Sequence, residues 1–236
     1  MSKTKKAVII GSVLVGIGVI IGFIGIAIGG FKFPNGAVDL TTMKALHTEK
    51  KTVQIADAFD KIANCTSTSG SMDIEICKSK TGKNYVEYYD TDDWTSHVDV
   101  KDHVLKFTTD DKGTHKAVVS LGFGKDTAAR VYLADAGYKE IAVTTLSGYV
   151  TIQDVNAETV NVSASSGDID LESCDAEKFD ITTSSGDVDM EITAGRTYRF
   201  ETKTNSGDVD VPDGDADSGY LCKIVTSSGD VDVKQK

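Results

Sequence analysis

Proline is almost missing from this sequence, with two residues among 236. Because proline is excluded from the interior of paired strands, β-strands can run through most of the chain without interruption. Positive charge is also scarce: the residues that follow position 31 carry 22 basic and 36 acidic side chains, a net charge of −14. Such an acidic surface argues against nucleic acid or an anionic lipid surface as a partner.

Signatures of metal binding and of disulfide scaffolds are missing as well. The four histidines share no metal-ligand spacing. An exported chain permits disulfides. Nevertheless, the spacing of the four cysteines brings no pair obviously close, and it favours four free thiols. These cysteines are Cys65, Cys77, Cys174 and Cys222.

The abundant feature is a repeated phrase, Ser-Gly-Asp-Val-Asp with small variations. It occurs at 166–171, 185–190, 206–211 and 228–233, with looser copies at 147–152 and 69–74. From Gly148 onward the repeat glycines are 19, 19, 21 and 22 residues apart. A fixed period near 20, with one turn and a short alternating strand in each period, predicts a solenoid of stacked units.

Apolar residues recur at every second position on both sides of the repeat glycine, which is the periodicity of strands. We therefore predict a strand, a Ser-Gly corner and a second strand in each unit, with the apolar columns stacked into a core. The column two residues after the glycine contains Val150, Ile169, Val188, Val209 and Val231. The column seven residues before it contains Ile141, Val160, Phe179, Phe200 and Cys222. An antiparallel sandwich of hairpins is the alternative, but tight Asn-Gly or Asp-Gly hairpin turns are absent from these repeats.

The outward positions after each glycine are acidic and form two predicted files of carboxylates. The files contain Asp168, Asp170, Asp187, Asp189, Asp208, Asp210, Asp230 and Asp232. Ca²⁺ prefers oxygen ligands and would relieve the repulsion, so these residues are weak calcium candidates. The alternative is a solvated face without a metal. Because catalytic carboxylates flank a cleft instead of recurring in register, an enzyme is the least favoured interpretation.

The N-terminus contains a long uncharged apolar run at 7–31, preceded by three lysines. This length is enough to span a bilayer. We predict a cytoplasmic tail at 1–6, one transmembrane anchor at 7–31, a linker at 32–51 and an extracytoplasmic repeat domain at 52–236. A cleavable signal peptide is the alternative. The anchor also carries a stripe of small residues suited to helix pairing, formed by Gly18, Gly22, Gly25 and Gly29.

Two further expectations concern the middle and the end of the repeat domain. The alternating runs at 85–88, 98–100, 104–107 and 131–133 are interpreted as irregular units of the same solenoid. The unit at 62–70 has one extra residue before its corner, which predicts a bulge. The last repeat, 227–233, is followed by three residues only. It is therefore expected to leave an open edge at the C-terminus, available to a partner strand or to a second copy.

From about residue 52 to the end, the chain resembles a bacterial β-strand-repeat family known as "putative adhesins". The resemblance rests on the Ser-Gly-Asp-Val-Asp phrases, on the approach at 139–148 and on the opening at 59–62 followed by Ser69-Gly70. It implies a single-stranded right-handed β-solenoid on the outside of a bacterium. Several members carry an N-terminal anchor and are linked to envelope-stress signalling. The resemblance supplies no catalytic residues.

These observations predict an all-β solenoid held at the cell membrane by one transmembrane helix. The expected role is non-catalytic binding of a protein partner at the cell envelope, in surface adhesion or in envelope-stress regulation, with no cofactor. The alternative is a structural surface-layer module or one that contacts glycan, and a polysaccharide-active enzyme comes third.

Overall fold

The computed structural model describes residues 37–39, 44–45, 48–67, 72–91, 94–111, 118–120, 128–134 and 137–236. All regular elements in these ranges are strands, which confirms the all-β prediction for the described part. They are β1 (Ala37–Asp39), β2 (Lys44–Ala45), β3 (Thr48–Ile55), β4 (Lys61–Ser67), β5 (Ile74–Lys78), β6 (Asn84–Thr91), β7 (Trp94–Lys101), β8 (Val104–Asp111), β9 (Val118–Ser120), β10 (Ala129–Leu133), β11 (Gly137–Ser147), β12 (Val150–Gln153), β13 (Asn156–Ser166), β14 (Ile169–Ser185), β15 (Val188–Ile192), β16 (Arg199–Lys203), β17 (Val209–Asp210), β18 (Leu221–Val225) and β19 (Val231–Gln235).

The predicted anchor at 7–31 and its glycine stripe lie outside the described residues. Within the described ranges, no helix has the length and apolar character needed to cross a membrane. The predicted linker overlaps the strand β3, which begins at Thr48 and pairs with β6. A small separate sheet joins β1 to β2 and β9.

Most strands belong to two ladders of parallel strands. The front sheet contains the strands that precede the corners, in the spatial order β8, β4, β11, β13, β14, β18 and β16. The back sheet contains the strands that follow the corners, in the order β10, β5, β12, β14, β15, β19 and β17. The strand β14 belongs to both, because it runs from the back sheet of one unit directly into the front sheet of the next. A unit is one front strand, its corner and one back strand.

The predicted apolar columns form the core between the two sheets. Val160, Phe179 and Cys222 are stacked in register and fully buried. After the corner, Ile169, Val188 and Val231 are stacked in the same way. Burial of these apolar side chains is the main favourable contribution to the folding free energy. The inside and outside assignment made from the two-residue period is therefore confirmed for these units.

The corner glycines form a column of their own. Each has a positive φ, +145° for Gly186, which side chains with a Cβ rarely adopt. In addition, a Cβ at Gly186 would lie 2.2 Å from the carbonyl oxygen of Gly167 in the neighbouring unit. Gly229 and Gly207 have equivalent contacts with the unit before them. Glycine recurs at each corner for two reasons, the turn and the close approach of stacked backbones.

The spatial order of the units differs from their order along the chain. Unit 221–235, at the C-terminus, lies between unit 175–192 and unit 199–211. Unit 61–78, the first in the chain, likewise lies between units 104–133 and 137–153. The expectation that the C-terminal repeat is an open edge is therefore wrong. The connection at 193–198 reaches across the inserted unit, and the connection at 212–220 returns from the end unit to it.

Antiparallel strands cover one end of the stack. At one end β6 pairs antiparallel with β10, and β7 pairs antiparallel with β8. The runs at 85–88 and 98–100 are therefore capping strands, and the interpretation of them as irregular units is wrong. The runs at 104–107 and 131–133 do belong to one stacked unit. A register shift in β4 between Ile62 and Cys65 confirms the predicted bulge.

Candidate binding surfaces

The outward side of the back sheet is an acidic face, which we define by the two aspartate files and the adjacent Glu172 and Glu191. The files follow the spatial order of the units, so Asp187 is followed by Asp230 and then by Asp208. In the second file Asp170, Asp189, Asp232 and Asp210 are in register. The structure therefore brings together all eight aspartates predicted from the sequence, with the last two units exchanged.

The first file is a hydrogen-bonded ladder. The backbone N–H of Asp187 donates to Oδ1 of Asp168 at 2.9 Å. The N–H of Asp230 donates to Oδ1 of Asp187 at 2.8 Å, and that of Asp208 donates to Oδ1 of Asp230 at 2.7 Å. Hydrogen bonds to charged acceptors are stronger than neutral ones. An aspartate directly after the glycine therefore ties each corner to the next, a role that the periodicity alone did not reveal.

The second file lies beside the glutamates around a shallow depression of about 180 Å³. Burial raises the pKa of Asp170, and the negative charges of Glu172 and Asp189 raise it further. Two lysines near the C-terminus offset part of this charge: Lys234 pairs with Asp232 at 3.0 Å, and Lys236 pairs with Glu191. The hydrogen bond from Lys236 is the largest cause of the lowered pKa of Glu191.

Calcium binding to these files stays a prediction. Among the residues that the structure describes, no group of three or more carboxylate, thiol or imidazole side chains is placed to hold a metal ion. The ladder gives the first file a structural role that needs no ion. If calcium does bind, millimolar Ca²⁺ should raise the melting temperature, and Asp189→Asn with Asp210→Asn should remove that rise.

A groove of about 370 Å³ runs along the corner opposite the Ser-Gly corners. Two ion pairs lie in it: Lys139 contacts Asp60 at 2.6 Å, and Arg196 contacts Asp175 at 3.1 Å. Tyr198 donates its hydroxyl to the carbonyl oxygen of Ala176 at 2.7 Å. These contacts tie neighbouring units together. Glu158 and Glu177 also line the groove, and Nη1 of Arg196 is buried without a hydrogen-bond partner among the described residues.

The described cysteines are free thiols, and two of them are buried. Cys174 and Cys222 are buried, and burial raises the pKa of each thiol to about 12. Cys77 is half-buried and also free, which agrees with the prediction of thiols for these three. The side chain of Cys65 lies outside the described part. A thiol with such a raised pKa is a poor nucleophile, so Cys174 and Cys222 contribute to packing.

Comparisons with solved structures support the fold. A structure described as a "putative cell adhesion protein" of Clostridium sporogenes aligns with a TM-score of 0.62 at 18% identity, covering 81% of this chain and 100% of that one. A "putative adhesin" of Bacteroides fragilis aligns with a TM-score of 0.37 at 16% identity, covering 81% and 98%. A "putative lipid binding protein" of Parabacteroides distasonis aligns with a TM-score of 0.28 at 12% identity, covering 78% and 96%. The fold is supported by the first of these structures.

No curated protein matches the sequence. The profile of the family described as Toastrack DUF4097 matches residues 62–236, which is the whole stack of units. The match begins at Ile62 in β4 and includes all of the repeat glycines from Gly148 onward. The chain therefore belongs to the Toastrack DUF4097 family.

Proposed function

We propose that this chain is a membrane-anchored, extracytoplasmic binding module in cell-surface adhesion or envelope-stress regulation. In this proposal it acts without catalysis and binds a positively charged surface of a protein partner through the acidic face. Its repeat domain is a single-stranded right-handed β-solenoid with inserted terminal units. The anchor is the apolar run at 7–31, and the repeat domain lies outside the cell membrane.

The main support for this proposal is the acidic face, which is continuous across four stacked units. Its carboxylates are spaced by the repeat of the sheet, about 4.8 Å, and they extend along one side of the back sheet. An extended surface in which one sign of charge predominates steers and orients a partner of the opposite sign. Burial is the largest cause of the raised pKa of Asp170, and the negative charges of Glu172 and Asp189 raise it further; a basic partner would relieve this second contribution.

We propose no catalytic role because of the way the charged groups are arranged. A catalytic site needs an acid or a base with a free position beside a bound substrate. In the corner groove the carboxylates of Asp60 and Asp175 are instead paired with Lys139 and Arg196. On the acidic face the carboxylates repeat in register from unit to unit, which suits binding of a repetitive or extended surface.

The test uses the full chain in mild detergent and a decalysine peptide as the probe. We expect binding that weakens as salt rises from 50 to 500 mM, because exposed charges are screened within about 8 Å at 0.15 M. Asp170→Asn, Asp189→Asn and Asp232→Asn together should weaken this binding about tenfold or more. A matched triple variant on other surfaces, Glu158→Gln, Glu177→Gln and Asp180→Asn, should leave it unchanged. Equal effects of the two variants would refute the acidic face as the binding surface.

The location is tested separately in intact cells. We expect the full chain in the membrane fraction, with the repeat domain accessible to external protease. Release of a soluble fragment that begins near Gly30 would contradict the anchor and support a cleaved signal peptide.

Contact with glycan remains the second candidate, and a specific feature favours it. At the other end of the back sheet, Tyr85 and Tyr132 are stacked with ring centroids 4.3 Å apart, beside the pair formed by Arg130 and Glu75. Half-exposed aromatic rings beside charged groups offer both an apolar body and polar contacts. Binding of a neutral oligosaccharide that is lost in Tyr132→Ala, with the decalysine binding unchanged, would support this second function.

A further inference from the structure

Unit 199–211 ends the stack, and its core columns are open on one side. Val209 is 41% exposed, whereas Val231 at the same position of the neighbouring unit is 1% exposed. Phe200 and Val211 are half-buried, although their counterparts Cys222 and Val233 are buried. The core is therefore incomplete at this end.

The hydrogen bonds between corners follow a fixed pattern that stops at this unit. The N–H of each corner glycine donates to the serine carbonyl of the next unit, as Gly229 does to Ser206 at 2.9 Å. The N–H two residues later donates to the aspartate carbonyl of the next unit, as Val231 does to Asp208 at 2.9 Å. In the end unit the corresponding donors are the N–H groups of Gly207 and Val209. Neither has an acceptor among the described residues.

The aspartate ladder stops at the same place. In the preceding units each carboxylate accepts the N–H of the following unit, as Asp230 accepts that of Asp208. Within the described part of the chain, no N–H is donated to the carboxylate of Asp208. The end of the back sheet thus presents two backbone N–H donors and one carboxylate acceptor. They occupy the positions through which the preceding units form hydrogen bonds with one another.

The end of the stack at unit 199–211 is covered only in part, whereas the opposite end is covered by strands. Antiparallel strands β6 and β7 cover the far end. Here the connection at 212–220 covers the start of the front strand, where the N–H of Asp215 donates to the carbonyl of Tyr198 at 3.0 Å. No other strand of the described ranges covers the back strand β17 and its corner on this side. An edge of this kind is a template for an added strand.

We propose that this open end binds an extended segment of a partner protein as one additional parallel strand, with a glycine at the corner and basic side chains at the outward positions. The glycine follows from the corner column, since a Cβ at Gly207 would lie 2.2 Å from the carbonyl of Gly229, and the next layer repeats this contact. This site is the end of the stack and adjoins the acidic face, with which it shares Asp208 and Asp210.

The basic side chains follow from charge complementarity. The outward residues of the corner and back strand of the end unit are Asp208 and Asp210, and the exposed connection adds Asp213, Asp215 and Asp217. A second copy of the chain would place aspartate against aspartate at this end, and the opposite end is closed by capping strands. Like charges directly opposite each other on adjacent strands are destabilising, as in the second aspartate file, so a basic segment is favoured over a second copy.

The experiment measures binding of a ten-residue peptide to the full chain by fluorescence anisotropy. The peptide is Ile-Val-Thr-Ser-Ser-Gly-Lys-Val-Lys-Val, which copies residues 224–233 with lysine in place of the two aspartates. We expect it to bind, and we expect the peptide with alanine in place of glycine to bind at least about tenfold more weakly because of the corner contact. The peptide with both aspartates retained should also bind more weakly.

A protein variant provides the second readout. Val209→Pro removes the free N–H at the edge without removing a hydrogen bond of the fold, and proline is tolerated on edge strands. It should abolish peptide binding, whereas Val209→Thr, which keeps the N–H, should not. Circular dichroism checks that both variants fold.

Three results would overturn the proposal. The first is equal binding of the glycine and alanine peptides, which would indicate charge attraction alone. The second is no binding of the lysine peptide at 1 mM, a concentration that detects affinities of about −4 kcal/mol. The third is a dimer of the chain itself that Val209→Pro dissociates, which would make a second copy the occupant. These outcomes are separate from those of the decalysine test, because that probe contains no glycine corner.

Discussion

Replacement of Gly186 by alanine tests the stacking of the corners directly. The added Cβ would lie 2.2 Å from the carbonyl oxygen of Gly167 and 2.6 Å from its carbonyl carbon. Both atoms are backbone, so no side-chain rotation can remove the contact. Gly186 also has a φ of +145°, which a residue with a Cβ adopts only under strain.

The two effects have separable magnitudes. An unfavourable backbone conformation costs about 1–3 kcal/mol, and overpacking of a tight site costs about 1–3 kcal/mol more. Gly186→Ala should therefore lower the free energy of unfolding by about 2–6 kcal/mol. Gly195 has a φ of +117° but open space around the Cβ position, so Gly195→Ala measures the conformational cost alone. Gly219 has open space and no positive φ, and Gly219→Ala is the neutral control.

Urea unfolding of the three variants, followed by circular dichroism, gives the comparison at constant m-value. We expect the order of destabilisation to be Gly186→Ala, then Gly195→Ala, then Gly219→Ala. If Gly186→Ala and Gly195→Ala lose the same free energy within about 0.5 kcal/mol, the close approach of the stacked corners contributes nothing and the reasoning is wrong.

The core could be predicted from the sequence because the strand period is two and the unit period is near 20. Those two periods assign Phe179 and Val188 to the inside without any knowledge of which units are neighbours. The glycine corner could be predicted for the same reason. Its second cause, the contact with Gly167, depends on the stacked partner and is visible only in the structure.

The order of the units could not be predicted, and the reason is physical. Gly207 and Gly229 belong to units with the same Ser-Gly-Asp-Val-Asp-Val phrase, so the pattern after the corner does not indicate which of them stacks on the unit that contains Gly186. The slightly longer spacings of 21 and 22 residues were the available signal, since an inserted unit needs a longer connection. The capping strands were missed because alternation of apolar and polar residues is the same in parallel and antiparallel strands.

The residues of the acidic face were predicted from the sequence, but the different roles of its two aspartate files were not. The sequence placed Asp187 and Asp189 outside, and both are exposed. It treated the two as equivalent, although Asp187 accepts a backbone N–H from the next unit and Asp189 belongs to the charged second file. The distinction depends on which side chain lies beside the corner, so the binding proposal concerns the second file most directly.

Three further predictions follow from burial and charge. Phe179→Ala should destabilise the fold by about 3–5 kcal/mol, and Asp187→Ala by about 1 kcal/mol through the lost N–H contact, in the same urea assay; equal losses would invalidate the inside and outside assignment. The thiol of Cys222, with its pKa raised to about 12, should resist alkylation at pH 8.5 until guanidinium chloride unfolds the chain, as followed by peptide mass spectrometry; modification in the folded state would contradict its burial. Finally, the pKa of Asp170 is raised by burial and by neighbouring carboxylates, so stability is lost as the pH rises from the ordinary carboxyl pKa to the raised one, and the charged form opposes folding at every higher pH. Asp170→Asn should therefore raise the melting temperature at pH 7, and this gain should disappear near pH 3, where the wild-type carboxyl is protonated in both the folded and the unfolded chain. A gain that is the same at both pH values would come from packing and would refute the electrostatic account of the acidic face.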